Sequence, residues 1–156
     1  MKIKIIALGK IKEKFLKDGI EEFLKRLTPY APIEIIELPA TEIKDAYLIS
    51  KALEEEGRRI LSLIKEHSYV VTLEINGKQF SSEDFSDNIK TLINNGINEL
   101  VFVIGSSYGL SKEFSERADL RMSLSKMTFL HQFTRLILVE QIYRAFKIMR
   151  GETYHK

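Results

Sequence analysis

The segment that most constrains the fold is a helical pattern near the end of the chain, over residues 131–150. At 100° per residue, its apolar side chains cover most of the helix circumference instead of one stripe. Such a helix has to be buried on several sides, against its own sheet and against a second subunit. We therefore expect a homodimer. Thr128 is expected to cap the start of this helix, and Gly151 to end it in a left-handed conformation.

The polar positions of this helix are few enough to be interpreted one by one. Glu140, Arg144 and Lys147 form one stripe at i, i+4 and i+7, where a carboxylate that precedes a cation supports the helix by a few tenths of a kcal/mol. Ordinary ion pairing is a sufficient explanation for them. Arg135 projects between apolar positions, where an unpaired cation is costly, so it requires a carboxylate, a backbone carbonyl or a ligand. For Arg135 we favour a functional role.

Ahead of this helix, strand and helix patterns alternate. Strands are predicted at 2–8, 33–38, 69–75, 100–104 and 120–124, and helices at 12–27, 48–64 and 83–95. The Asn76-Gly77 pair, a turn signal, is expected to end the third strand. The alternation predicts a single α/β domain over residues 1–156, with a mostly parallel sheet flanked by helices. In such sheets, ligands bind beyond the carboxyl ends of the strands.

Composition excludes several kinds of site. The chain has no cysteine and only three histidines among its 156 residues. Disulfides, iron–sulfur clusters and thiolate zinc sites are therefore excluded, and we expect no metal cofactor. The sequence shows no secretory signal and no stretch of membrane-spanning length, so we expect a cytoplasmic protein without a membrane partner.

The charges are distributed unevenly along the chain. The formal net charge is only +2, but residues 117–156 contain eight Lys and Arg against three Asp and Glu. That segment carries +5, and the first 116 residues carry −3. A basic segment beside a remainder that has no net positive charge suits a polyanion such as RNA. A solvated basic face without any partner explains the charge equally well.

A glycine-containing loop, Gly105-Ser106-Ser107-Tyr108-Gly109, directly follows the most apolar predicted strand. Its glycines let the backbone approach a ligand closely. The spacing matches neither a dinucleotide-binding G-x-G-x-x-G nor a P-loop, which disfavours a nucleotide-dependent oxidoreductase. A plain tight turn explains the loop equally well.

Short motifs spread along the whole chain match one known family. They are IALGK at 6–10, VFVIG at 101–105, LSKMT at 124–128, HQ at 131–132, EQIYRA at 140–145 and GETYHK at 151–156. With them, the chain closely resembles the ribosomal large subunit methyltransferase H family of the SPOUT class. Two positions depart from the family pattern: Ser106 and Leu130 stand where members commonly have glycine and proline.

The resemblance implies a homodimeric α/β fold of the SPOUT type, with a deep trefoil knot in its C-terminal part. It implies S-adenosyl-L-methionine as the methyl donor and N3 of a pseudouridine in the helix-69 loop of 23S rRNA as the acceptor. Because the net charge is modest, we expect shape to select the substrate. The partner would then be the large subunit or the whole ribosome and not naked RNA.

The resemblance also assigns roles to residues of this chain. The cofactor contacts would be Leu73, Gly105, Leu124, Ser125, Lys126, Met127, Thr128 and Phe129. The chemistry of the transfer suggests a catalytic group of His155, Tyr154 and Arg135. Arg135, Arg144 and Lys156 are candidates for binding RNA phosphate or for stabilising the developing imide anion. His155 is the candidate base because the ordinary pKa of histidine lies near neutral, and Tyr154 could stack on the acceptor base.

One competing interpretation is a protein that uses the same basic tail but catalyses no reaction. A non-catalytic, ribosome-associated dimer would bind RNA through it and need no cofactor. Cofactor binding separates this interpretation from the enzyme. The tail itself could also be frayed, as most chain ends are.

Overall fold

The sheet contains five parallel strands, which the computed structural model describes together with the rest of residues 1–154. The strands are β1 (Lys2–Leu8), β2 (Ile33–Leu38), β3 (Tyr69–Gln79), β4 (Glu99–Ile104) and β5 (Leu120–Ser123). Their order across the sheet is β2-β1-β4-β3-β5, and all neighbouring pairs are parallel. All six residues of β4 are buried, as expected for a strand covered on both faces. The predicted single-domain α/β fold is confirmed.

Helices cover both faces of the sheet. They are α1 (Lys14–Leu27), α2 (Ile49–Leu61), α3 (Ser82–Asn94), α4 (Lys112–Arg117) and α5 (His131–Met149), and a short 3₁₀ turn (Ala46–Leu48) precedes α2. On one face, α5 packs between α1 and α3 over a core that includes Ile3, Ile5 and Phe102. On the other face, α2 and α4 contact each other over Ile6, Leu8 and Val103. Alternate residues of β1 thus supply two separate cores. None of the described helices has the length and apolarity that crossing a membrane requires.

The last helix, α5, is buried against its own sheet, as its sequence predicts. Leu138, Val139 and Ile142 are fully buried, whereas Phe133 on the outer side remains 39% exposed. The prediction that a second subunit covers this outer side stays a prediction, as does the trefoil knot. Gly151 has φ +64° and ends the helix, as expected.

The predicted start of α5 at residue 131 is confirmed, but the cap predicted for this helix is wrong. Its N-cap is Leu130, which makes no side-chain capping hydrogen bond, and Thr128 lies two residues upstream in the preceding loop. Sequence reasoning also missed α4, which Ser111 caps by accepting a hydrogen bond from the Phe114 backbone N–H at 3.2 Å. Phe114 anchors this short helix in the core.

The prediction that Asn76-Gly77 ends the third strand is also wrong. Leu73 and Lys78 both pair with Met122 of β5, so the chain loops out of the ladder over residues 74–77 and then rejoins it. Gly77 is the last residue of this loop, directly before pairing with β5 resumes at Lys78. A Cβ atom on Gly77 would lie 2.6 Å from the carbonyl carbon of Met122, so only glycine fits there without a shift of the backbone.

Candidate active site

A cleft of about 760 Å³ opens at the carboxyl ends of β3, β4 and β5, beside the start of α5. Its walls come from residues 73–76, from residues 104–110, from most of residues 123–130, and from His131 and Thr134 on α5. The strands are parallel, so their carboxyl ends lie at one edge of the sheet, and the loops that follow them meet there. The cleft is therefore where the sequence predicted a ligand site.

Most of the residues that the family resemblance assigns to the cofactor line this cleft. They are Leu73, Gly105, Leu124, Ser125, Met127, Thr128 and Phe129. Lys126 is exposed and is not part of the lining. Glu74, Tyr108 and Thr134 also line the cleft; no role was predicted for any of them, although Tyr108 belongs to the glycine-containing loop and Glu74 to the predicted end of a strand. The sequence feature that could have indicated Glu74 as a lining residue is its position directly after the apolar residues of a predicted strand.

The loop at Gly105 is a tight turn, and it also forms one wall of the cleft. The Gly109 backbone N–H donates to the Ser106 carbonyl at 2.9 Å. The hydroxyl of Ser106 donates to Glu56 Oε2 at 3.2 Å, and Oε1 of Glu56 accepts from the Thr41 backbone N–H at 2.8 Å. Glu56 is buried, so its carboxylate holds the turn from the protein interior. No pattern in the sequence pointed to it.

The segment after β5 forms the opposite wall. The Ser125 hydroxyl accepts from the Met127 backbone N–H at 3.0 Å, and the Ser123 hydroxyl donates to the Ser125 carbonyl at 2.9 Å. These local bonds hold a tight bend that turns Met127 outward, where 75% of it is exposed. Serine at 125 thus shapes the wall through the backbone.

Arg135 requires a correction to the role predicted for it. It is 0% exposed and does not belong to the cleft lining. Its Nη1 donates to Glu37 Oε2 at 2.7 Å, and its Nη2 donates to the carbonyls of Leu8 and Gly9 at 3.0 and 2.5 Å. The carboxylate and carbonyls that its burial required are thus supplied by the chain itself, and the side chain is closed off from the cleft. Arg135 instead ties α5 to the carboxyl end of β1.

His131, one turn before Arg135 on α5, does line the cleft. Burial lowers the pKa of the His131 imidazole, and the nearby Arg135 cation lowers it further. Burial also lowers the pKa of the Arg135 guanidinium, while the bond to Glu37 opposes that shift. A neutral imidazole at neutral pH can both donate and accept a hydrogen bond.

Residues 151–154 of the tail pack against α5, so the interpretation of a frayed end is wrong for them. The Tyr154 hydroxyl donates to Glu140 Oε1 at 3.0 Å, and its ring meets the Tyr143 ring edge-on at 4.9 Å. Arg144 Cζ lies 4.8 Å from the centroid of the Tyr154 ring. Arg144 also pairs with Glu140 at 2.6 Å, as the i, i+4 spacing predicts.

One chain does not bring the tail and the cleft together. Glu140, the partner of Tyr154, comes nine residues after His131, which is about 14 Å along α5 at the helical rise per residue. Within the described residues of one chain, Tyr154 is therefore not part of the cleft lining. His155 and Lys156 lie outside the described residues. Within residues 1–154, no group of three or more His, Asp or Glu side chains is arranged to hold a metal ion.

The chain is similar in sequence to known methyltransferases. The sequence profile of a family described as "Predicted SPOUT methyltransferase" matches residues 1–155. The chain is 50% identical over 160 residues to the ribosomal RNA large subunit methyltransferase H of Enterococcus faecalis, and the match covers 100% of both chains. Among solved structures, the SpoU methyltransferase AviRb from Streptomyces viridochromogenes, in complex with AdoMet, matches 97% of this chain and 59% of its own, with 10% identity and a TM-score of 0.45. On the family profile and the full-length relative, this chain belongs to the SPOUT methyltransferases, in the ribosomal RNA large subunit methyltransferase H family.

Proposed function

We propose that this protein transfers a methyl group from S-adenosylmethionine to N3 of a pseudouridine in the helix-69 loop of 23S rRNA. The substrate is the assembled large subunit or the whole ribosome. One observation carries the proposal: seven of the eight residues that the resemblance assigns to the cofactor line a single cleft. The family supports methyl transfer, and the name of the Enterococcus faecalis relative supports ribosomal RNA as the substrate.

The residues present in the cleft fit this cofactor. A volume of about 760 Å³ lies within the range of roughly 300–1,000 Å³ for small-molecule sites. Leu73, Ile104 and Leu110 offer apolar surface to an adenine ring, and serine hydroxyls and turn backbone offer polar groups to a ribose. When bound, S-adenosylmethionine supplies an electrophilic methyl group on a sulfonium sulfur.

The residues of the chain then have two tasks. The cleft must hold the methyl group in line with the nucleophilic nitrogen, because positioning provides much of the rate of such a transfer. A base must accept the proton that leaves N3 of the pseudouridine. His155 is our candidate for that base. Arg144 and Lys156 are our candidates for binding RNA phosphate, and Tyr154 is our candidate for stacking on the acceptor base.

A homodimer would join the two parts that one chain keeps separate. The loop and first turns of α5 expose Met127 (75%), Leu130 (62%) and Phe133 (39%) at the mouth of the cleft or next to it. Exposed apolar surface of this kind marks an interaction site. We propose that a second copy covers it, so that the tail of one subunit can approach the cleft of the other.

Phe133→Lys is expected to weaken the dimer about 30-fold or more, since a lysine replaces a central apolar contact. Sedimentation equilibrium would then shift from twice the 18.1 kDa chain mass toward that mass. Phe15→Lys is the matched control, because Phe15 is 63% exposed on α1 and should leave the dimer intact. A Phe133→Lys protein that stays dimeric would show that the interface lies elsewhere.

The first test of the function is titration of the purified protein with S-adenosylmethionine, followed by methyl transfer to ribosomes and to protein-free 23S rRNA. We expect saturable binding, and transfer that is faster on ribosomes. Absence of binding would favour the non-catalytic RNA-binding dimer. Equal rates on the two substrates would contradict selection by the assembled ribosome.

Removal of the proposed base should lower the rate but not the cofactor affinity. His155→Ala is expected to reduce methyl transfer by about 10²- to 10⁴-fold, the usual contribution of a general base. The dissociation constant for S-adenosylmethionine should stay within about twofold, because the base acts on the RNA. His67→Ala, at an exposed position, should change neither quantity. Equal losses of rate and of cofactor affinity would rule out this role for His155.

A further inference from the structure

The cleft contains a carboxylate that the roles above do not use. Glu74 follows Leu73 in the part of β3 that loops out of the ladder, and it lines the cleft. Two hydroxyls orient its half-buried side chain. Thr72 Oγ1 donates to Oε1 at 2.6 Å, and Ser115 Oγ lies 2.8 Å from Oε1 and 2.9 Å from Oε2. A carboxylate has about four acceptor sites, so it retains capacity toward a ligand.

The charge of Glu74 is not balanced by the other described residues that line the cleft. They include no lysine, no arginine and no second carboxylate, and their remaining titratable side chains are His131 and Tyr108. Burial and the Arg135 cation lower the pKa of His131, which favours its neutral form at neutral pH. The cleft is thus apolar and hydroxyl-lined, with one negative charge in its wall.

We propose that Glu74 makes the cleft selective for a positively charged cofactor. The sulfonium of S-adenosylmethionine is then bound more tightly than the neutral thioether of S-adenosylhomocysteine. This inference rests on the proposed function, since it takes that cofactor as the ligand. The Debye length is about 10 Å at 0.1 M salt. A cation bound near Glu74 in this cleft is therefore attracted to its carboxylate with little screening.

Charge selection would favour turnover. Methyl transfer breaks the bond between sulfur and the methyl carbon and leaves the bonding electron pair on sulfur, which loses its positive charge. The methyl carbon forms its new bond to N3, and the N3 proton passes to the base. The attraction to Glu74 is consequently present before transfer and absent afterwards, so the product is released more readily than the substrate.

A purely structural role makes a different prediction. Through Ser115, Glu74 also connects α4 to the end of β3. If that connection were its only task, its loss would disturb the cleft wall and weaken all cofactor-like ligands alike. Ligands that differ mainly in the charge at the sulfur position therefore separate the two roles.

The experiment is calorimetric titration of the wild-type protein and of Glu74→Gln with three ligands. They are S-adenosylmethionine, sinefungin and S-adenosylhomocysteine; sinefungin carries an ammonium group in place of the methylated sulfonium. Glu74→Gln should weaken binding of both cationic ligands about tenfold, which equals about 1.4 kcal/mol. It should change binding of S-adenosylhomocysteine by less than about twofold.

Two matched variants serve as controls. Ser115→Ala removes a hydrogen bond to Glu74 and keeps the charge, so it should not change the preference for cations. Glu116→Gln removes a carboxylate from an exposed position of α4 that does not line the cleft, and it should leave all three affinities unchanged.

Equal weakening of all three ligands by Glu74→Gln would overturn the inference, and so would an unchanged affinity for the cationic pair. If Glu74→Gln fails to fold, the wild-type protein alone still tests charge selection through its three affinities. It must bind both cationic ligands about tenfold more tightly than S-adenosylhomocysteine, and equal affinities would overturn charge selection alone. A wild-type protein that binds none of the three would overturn the proposed function itself.

Discussion

Replacement of Gly105 by alanine is expected to weaken S-adenosylmethionine binding about 10- to 100-fold. The added Cβ would lie 2.5 Å from the Gly109 carbonyl oxygen and 2.8 Å from its carbon. Both are backbone atoms of the same turn, so the clash cannot be relieved by a side-chain rotation. Relief of such overpacking costs roughly 1–3 kcal/mol. The turn must open to accommodate the methyl group, and only the fraction of molecules with a closed turn would bind well.

Titration calorimetry measures this effect directly. Gly19→Ala is a suitable control, because its Cβ would meet only the terminal methyl groups of Leu136, at 3.0 and 3.2 Å, in the core away from the cleft. It should leave the cofactor affinity unchanged. A Gly105→Ala protein with wild-type affinity would show that the turn does not hold the cofactor.

Arg135→Met is expected to lower the free energy of unfolding by about 1–3 kcal/mol, the cost of leaving buried polar groups without a partner, because Glu37, its ion-pair partner, is itself 38% exposed. The substitution removes the bonds to Glu37 and to the carbonyls of Leu8 and Gly9. Methionine replaces the volume, but the two carbonyls lose their donor inside the protein. Urea denaturation monitored by circular dichroism provides the measurement.

Two further variants show whether the loss of stability comes from the bonds that Arg135 makes. Arg135→Lys keeps the charge but loses the planar fork that reaches Glu37 and the carbonyls together, so it should lose roughly half as much stability. Arg58→Met removes an arginine from an exposed position of α2 and should stay within about 0.5 kcal/mol of wild type. A loss below about 1 kcal/mol for Arg135→Met would contradict the structural role that its burial indicates.

The sequence by itself determined the parts of the fold that depend on burial and local conformation. The apolar run of β4 predicted a strand covered on both faces, and the apolar circumference of α5 predicted its burial against the sheet. The ligand edge could also be predicted, because the carboxyl ends of parallel strands meet wherever the sheet forms. Family motifs then pointed to seven of the residues that line the cleft, including Gly105 and Ser125.

Only the tertiary structure decided which groups meet across the chain. The side-chain chemistry of Arg135 required acceptors but left their identity open, and the acceptors lie 98 to 127 residues away. The loop at residues 74–77 follows from pairing with β5, which overrode a local turn signal at Asn76-Gly77. The same loop places Glu74 in the wall of the cleft. Sequence periodicity reports which side of an element is buried, whereas the partner on that side is set by the packing of distant segments.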